Sequence, residues 1–468
     1  MNQLTIPLEP GGKTHLYEQI YHYIRSEIIE GRLTPGEKLP SSRLLAAHLQ
    51  LSRSTVNLAY EQLVAEGYLE VVPCKGYFVS RLEETLELEK RIRKAVGTKK
   101  KEAVFPYHFT PNGIDMREFP FSTWRRITKE VLQDDSQELF ALGHPQGDET
   151  LRQSIACYLF ASRGVRCSKE QIVVGAGNDY LLMLLQLLLP PSSKIAFENP
   201  TYTKAYNILR SLGFSTAIVD MDESGMEVKK LEESRADIAY IMPSHQFPTG
   251  IVTTVGRRNE LLNWATAGEG RYLIEDDYDS EFRYRGKPIP ALQGMDVNDR
   301  VIYIGTFSKA IAPAIRISFM VLPLPLLEEY RKKAGMISST VSRIDQKILE
   351  NFMECGAFER HLNRMRKIYK GKHDLLLEAL KPFRDRFELQ GDHAGSHILL
   401  GARFPVTEQW LREKAARKGV KVYCLSDYIL DGKQTSKYPP TIILGYVGME
   451  AGRIREGIGR LEEAWLQV

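Results

Sequence analysis

VIYIGTFSKAIAPAIRIS, residues 301–318, sets a run of apolar, mostly β-branched residues before a stretch of small and hydroxyl residues. That stretch carries one lysine, Lys309, and seven positions on one arginine, Arg316. The first part reads as a buried strand, since it is short and rich in Val, Ile and Tyr. A lysine just past such a strand sits where burial and charged neighbours depress its pKa, which turns a solvated cation into a nucleophilic amine. Similar segments lie on both sides of it: QIVVGAGN, KIAFENP, TAIVDM, DIAYIMP, RYLIEDD and ISFMVLP, separated by helical stretches. Short strands alternating with helices imply parallel βαβ construction, so the chain from about 107 to 468 is read as α/β. From about 391, HILLGARF and TIILGYV are expected to form a smaller α+β subdomain.

The 468 residues, 43% of them hydrophobic, suffice for two or three domains with a large core. A formal charge of +4 is too mild at this length to argue for a polyanionic partner by itself, so any such claim has to rest on local motifs. The cysteines (Cys74, Cys157, Cys167, Cys355 and Cys424) are odd in number and show no CxxC spacing, which indicates neither a disulfide framework nor a zinc site. The start MNQLTIPLEPGG lacks the basic and apolar regions of a signal peptide. The most apolar run, YLLMLLQLLL, is too short to span a membrane and carries Gln186. A soluble, cytoplasmic protein is expected.

Residues 1–80 read as three short helices and a hairpin. LYEQIYHYIRSEIIEG has apolar residues at helical spacing and stops at Gly31; Ser41 or Ser42 can cap SRLLAAHL; a third helix starts at Ser52 and ends at Gly67. YLEVVPCKGYFVS then alternates around a Pro-Cys-Lys-Gly turn. This is the layout of a winged helix-turn-helix, whose third helix enters the major groove. Ser52, Arg53, Ser54, Thr55 and Asn57 gather donors at the start of that helix, where free N–H groups also favour phosphate. Arg53 suits a guanine edge and Asn57 an adenine, Arg43 a phosphate, and Lys75 at the hairpin tip the backbone or minor groove. Taken singly, each of these is also an ordinary capped helix start or solvated charge. The ordered set argues for DNA.

The stretch from Leu16 to Val79 resembles the DNA-binding domain of GntR-type bacterial transcription regulators, with its G-x-L-x-P-G-x-x-L-P-S-x-R turn and its S-R-x-T-V start of the recognition helix. The resemblance implies that Arg43, Ser52, Arg53, Thr55 and the wing residue Gly76 lie at the DNA. Residues 81–106, RLEETLELEKRIRKAVGTKKKEAVFP, are dense in charge and read as a linker.

In the large portion, the lysine invites an aldehyde cofactor, and pyridoxal phosphate makes further demands: an acid for its ring nitrogen, donors for its phosphate and an aromatic for its face. RYLIEDDYDSEF supplies carboxylates at the carboxyl edge of the sheet, of which Asp276 is the chosen acid. Gly175-Ala176-Gly177-Asn178, a strand-to-helix turn, with Thr306 and Arg316, supplies phosphate donors. Tyr202 in ENPTY supplies the aromatic. In order, GAGN, ENPTY, QFPTG, EDDYD and the S-K-x6-R signature resemble the fold type I aminotransferases. That resemblance implies Lys309 as the Schiff-base residue, Asp276 at the pyridine nitrogen, Tyr278 on the O3′ side, Tyr202 stacked on the ring, and Gly177, Asn178, Thr306 and Arg316 at the phosphate. Two departures stand out. Phe247 occupies the place of the asparagine that usually holds O3′, leaving His245 or Gln246 to substitute or the ring's electronics to differ. TIILGYVG lacks the late arginine that holds a substrate carboxylate, leaving Lys204 or Arg403 as the alternatives.

A GntR-type reader joined to such a domain resembles the MocR/GabR subfamily, and PSHQFPTG with IEDDYDSEFRY is that subfamily's form of the shared motifs. The resemblance implies a head-to-tail homodimer on promoter DNA, which senses an amino-compound effector through the Lys309 aldimine. The alternative is a working aminotransferase with an accessory N-terminal module.

Overall fold

A computed structural model describes residues 6–8, 14–81, 105–133, 137–284, 289–391, 394–430 and 437–466. The chain forms two compact units, Met1–Ala103 and Val104–Val468. Most of the expected linker, residues 82–104, lies outside the described residues.

In the first unit α1 (Leu16–Ile29), α2 (Ser42–Leu49) and α3 (Arg53–Ala65) precede the strands β1 (Leu69–Val72) and β2 (Gly76–Val79). Ser41, not Ser42, caps α2: its Oγ accepts from the N–H of Leu44, while Ser42 is buried. Ile20, Ile24 and Ile28 of α1, spaced by four, meet Val56, Tyr60 and Leu63 of α3 in one core. Tyr60 also donates to the carbonyl of Pro40 at 2.9 Å, which ties α3 to the turn before α2. The strands pair antiparallel from Leu69–Val79 to Val72–Gly76, closing the wing with Lys75 at its tip.

The second unit opens with the strand β3 (Tyr107–His108). Its main sheet contains β4 (Ile172–Gly175), β5 (Lys194–Asn199), β6 (Ser215–Asp222), β7 (Gly225–Met226), β8 (Ile238–Ile241), β9 (Tyr272–Asp277), β10 (Val301–Thr306) and β11 (Ser318–Val321). The strand order is β4-β11-β10-β9-β8-β5-β6-β7. Pairings from β10 through β9, β8 and β5 to β6 are parallel. Two strands depart from the all-parallel expectation: β7 returns directly on β6, and β11 runs antiparallel to both β10 and β4. Phe307 to Ile317 are too few residues for the crossover a parallel return needs, so the chain doubles back as a loop. That loop carries Lys309 and Arg316. Central strands such as β8, β9 and β10 are buried nearly throughout, which is why they read as continuous apolar runs.

The smaller subdomain is larger than its sequence indicated. Its sheet runs β12 (Phe387–Gln390), β13 (His397–Ala402), β16 (Thr441–Gly445) and β15 (Tyr423–Cys424). The strand β14 (Val420–Lys421) pairs in parallel with β3. The core beneath it takes in Phe109 and residues of the helices Ala357–Ala379 and Ala451–Trp465, including Met365, Tyr369, Ile458 and Trp465. Residues near 107 and from 357 therefore belong with it, because they bury its apolar face. Among the described residues no helix is long and apolar enough to cross a membrane.

Candidate functional site

An open groove of about 600 Å³ along the helix Glu149–Arg163 holds none of the reactive groups expected from the sequence to converge. These gather instead in a cleft of about 150 Å³ at the carboxyl edge of the main sheet, lined by Asn178, Tyr202, Phe247, Asp276, Tyr278, Thr306, Lys309 and Arg316 among others. Five strand ends supply them: β4 leads to Asn178, β5 to Tyr202, β8 to Phe247, β9 to Asp276 and Tyr278, and β10 to Thr306 and Lys309. Ligands of open α/β sheets bind at this edge.

Lys309 is partly buried. Desolvation brings its amine down to about 8, opposed only by the charge of Asp279. Its Nζ has one described partner, the carbonyl of Pro111 at 3.4 Å. Asp276 is buried and its carboxyl is pushed up to about 7, first by desolvation; the Tyr240 hydroxyl, which donates to Oδ2, works against this. Oδ1 is buried with no hydrogen-bond partner. A buried acceptor left open costs free energy unless a donor meets it.

On the opposite side lies a cradle for an anion. Gly177, at φ 89°, precedes the helix Asn178–Leu188, whose first N–H groups have no intrahelical acceptors. A Cβ on Gly177 would sit 2.3 Å from Nη2 of Arg316, so only glycine admits the guanidinium. Arg316 itself adopts a left-handed backbone at φ 53°, and its Nη2 donates to the Ala176 carbonyl at 3.1 Å and to Asp179 at 3.4 Å. Thr306 Oγ1 accepts from the Ser308 N–H at 3.1 Å and from the Ser318 hydroxyl at 2.8 Å. Asn178 Oδ1 is buried without a partner. Tyr202 meets Phe247 edge-on at 5.9 Å, and Phe247 meets Tyr278 in the same way at 5.9 Å.

The cleft thus gathers Lys309, Asp276, Tyr278, Tyr202, Asn178, Thr306 and Arg316, with Gly177 packed against the Arg316 guanidinium, while His245 and Gln246 do not line it. Of the two residues weighed for a carboxylate, Lys204 lines the cleft and pairs with Asp179 at 2.7 Å. Arg403 does not line it: the side chain is exposed on the smaller subdomain, 4.0 Å from Glu388. Sequence reasoning missed Asn112, Met242, Ser308 and Tyr240. Asn112 reaches the cleft from a loop near 110, which reads only as a turn. Tyr240 is the one polar-tipped residue of an otherwise aliphatic strand and pairs across to Ile274, two residues from Asp276, a signal that strand pairing alone makes readable.

In the first unit, Ser52 is the N-cap of α3: its Oγ accepts from the Thr55 N–H at 3.2 Å and bonds the hydroxyls of Ser54 and Thr55 at 2.8 and 2.7 Å. Those three hydroxyls therefore also order the helix start. Arg53, Ser54, Arg43 and Lys75 are exposed, and Asn57 is half-buried. Gly76 opens the second strand at φ 109°, a conformation that favours glycine.

Comparison with known proteins fits both units. Residues 16–79 match the family of bacterial regulatory proteins of the gntR type, and residues 115–430 match the aminotransferases of class I and II. The uncharacterized HTH-type transcriptional regulator YdeL of Bacillus subtilis is 39% identical, with 96% of each chain covered. The chain belongs to the MocR/GabR subfamily of GntR-type transcription regulators. A protein named as the probable rhizopine catabolism regulatory protein MocR of Rhizobium meliloti is 31% identical over 96% of this chain and 94% of its own. The large unit has the fold type I architecture. The crystal structure of a multiple substrate aminotransferase from Thermococcus profundus superposes with a TM-score of 0.68 at 26% identity, covering 82% of this chain and 95% of that one.

As a MocR/GabR-type regulator the chain is a DNA-binding protein whose cofactor is pyridoxal 5′-phosphate. The cleft fits that group: an open carboxylate oxygen on Asp276, a glycine cradle with an arginine across from it, and an amine whose pKa is brought down to about 8 by burial.

Proposed function

We propose that residues 1–80 read promoter DNA, 81–106 join the units, and 107–468 bind pyridoxal 5′-phosphate and sense an amino-compound effector at Lys309, in a cytoplasmic, head-to-tail homodimer. The observation that carries this reading is the depressed amine of Lys309 in one cleft with the open Asp276 oxygen and the Gly177–Arg316 cradle.

The cofactor, when bound, supplies an aldehyde carbon that a neutral primary amine attacks reversibly. Lys309 is the resident amine, and an effector amine competes with it for the same carbon. Asp276 Oδ1, which has no partner, would meet the ring nitrogen, while Tyr240 holds Oδ2. Tyr202 would cover one ring face, and Tyr278 would present its phenol to the ring oxygen. Gly177, Asn178, Thr306 and Arg316 would hold the phosphate with N–H groups, a hydroxyl and a guanidinium. Lys204 offers a cation at the cleft.

Arg53 and Asn57 read base edges from α3, Ser52, Ser54 and Thr55 fix its N-terminus, and Arg43, Lys75 and Gly76 contact the backbone. Two readers in one dimer bind paired half-sites with raised effective concentration. The effector shifts DNA binding only by the difference in its affinity for the two arrangements of the dimer.

The test is to add a panel of α-, β- and γ-amino acids to the holoprotein and follow the visible cofactor band and DNA binding together. Coupled changes in both support the sensor reading. Multiple turnovers at ordinary enzyme rates with no change in DNA binding support a working aminotransferase instead.

A further inference from the structure

Phe247 leaves the cleft short of one polar side chain, and of its two polar neighbours only one is free to compensate. Gln246 is committed: its Nε2 donates to the Pro200 carbonyl at 2.7 Å, and its Oε1 accepts from the N–H and hydroxyl of Thr249 at 3.1 and 2.6 Å. His245 is placed differently. Its Nδ1 lies 3.0 and 3.1 Å from the two carboxylate oxygens of Asp279 and 3.0 Å from the hydroxyl of Tyr278. One ring nitrogen thus joins a buried carboxylate to a phenol that lines the Lys309 cleft.

The other ring nitrogen sets the proton count. Nε2 is buried with no hydrogen-bond partner. Glycines close around the ring: a Cβ on Gly395 would lie 2.0 Å from Cε1, and one on Gly250 would lie 3.4 Å from Nε2. A proton on Nε2 would be a buried donor without an acceptor, whereas a bare lone pair there costs less, so the ring carries its single proton on Nδ1. The surroundings agree. His397, whose ring is 5.8 Å away, is pushed down to about 4, first by burial, so it stays neutral; Phe247 packs 5.2 Å from His397. Lys309 and Asp279 are the charged groups that act on His397, and Asp276 and Asp277 act with Asp279 on Tyr278. Burial, with the charges of Asp279 and Asp276, holds the Tyr278 phenol well above its ordinary range, so it keeps its proton and remains a donor.

The geometry assigns Asp279 and His245 as a positioning dyad that orients the Tyr278 phenol toward the cofactor's ring oxygen and so takes over the tuning role an asparagine at 247 would have. The inference rests on the proposed placement of Tyr278 at that oxygen. A phenol donating there favours the oxygen's anionic form. When it is no longer oriented, the cofactor's exchangeable proton is harder to remove, and the pH midpoint of the visible band rises.

The experiment is a pH titration of the visible band of the full-length holoprotein. His245→Leu should raise the midpoint by about one pH unit, the size of one hydrogen bond to a charged group. His245→Asn, which restores an N–H near the Nδ1 position, should return much of that shift. Asp279→Asn, which keeps the shape of the acid and removes its charge, should shift the midpoint in the same direction as His245→Leu and covers the case of a leucine variant that does not fold. In a Tyr278→Phe background, His245→Leu should add nothing, because its effect passes through the phenol. An unchanged midpoint in His245→Leu or Asp279→Asn, or an equal shift in the Tyr278→Phe background, would overturn the dyad while leaving the cofactor reading intact. A wild-type protein without the band would overturn the cofactor reading, and the dyad with it.

Discussion

Lowering the amine of Lys309 from 10.5 to about 8 has a kinetic consequence that can be measured in the apoprotein. The neutral amine is the reactive form, and its share grows as pH rises through the folded pKa. At pH 7 a group titrating near 8 is roughly 9% neutral, against about 0.03% for an ordinary lysine, a ratio of about 300. Stopped-flow mixing of apoprotein with pyridoxal phosphate, at pH values from 6 to about 10, gives the rate at which the visible band appears. The same series with a free, blocked lysine corrects for the cofactor's own ionisations. The corrected protein rate should rise to a plateau with its midpoint near 8 and exceed the blocked-lysine rate most at low pH. The linkage sign is the same: the unfolded chain binds more protons between about 8 and 10.5, so this lysine's contribution makes the fold more stable as pH rises through that window. A midpoint at 10 or above would refute the claim that burial activates Lys309.

Further expectations follow from contacts around the two sites. Gly177→Ala forces φ 89° on a residue with a Cβ and displaces Arg316, so about 1–3 kcal/mol of strain adds to the lost phosphate contact, and the Kd for pyridoxal phosphate should rise roughly a hundredfold in equilibrium dialysis. Tyr240→Phe removes the donor that favours the charged form of Asp276, and the same assay at pH 7 should show about tenfold weaker binding. Unchanged affinity would exclude Tyr240 from the site. Arg53→Ala should cost about 1–3 kcal/mol of DNA affinity in an anisotropy titration and relax base preference at one position, with the cofactor band untouched. Uniform weakening across sequences would make Arg53 a phosphate contact instead.

Much of this site could be read from sequence because each cofactor demand falls at the end of an apolar strand, and a strand end is a local feature. Lys309 and Asp276, which line the cleft, and Gly177, which abuts Arg316 there, are visible that way. What local pattern hides is long-range pairing. Tyr240 meets Asp276 because β8 and β9 lie side by side in a particular register, and the loop of Asn112 is held at the cleft by partners far along the chain, among them β14, Gly445 and Ser396. The antiparallel turn of β11 was hidden for a related reason: a buried strand reads the same in either direction, and only the shortness of the 307–317 loop decides it. In the first unit the serines that suggest DNA contact also cap a helix, so one local signal there carries two roles.

The central claim is that chemistry at Lys309 is read out on DNA. The most direct measurement is a set of DNA-binding isotherms for holoprotein with and without the amino acid that perturbs its visible band, run side by side on the wild type and on Lys309→Ala. The account requires the wild-type isotherm to shift with the amino acid and the Lys309→Ala isotherm to stay where it is. Equal shifts in both proteins, or a wild-type band that changes while DNA binding does not, would contradict it.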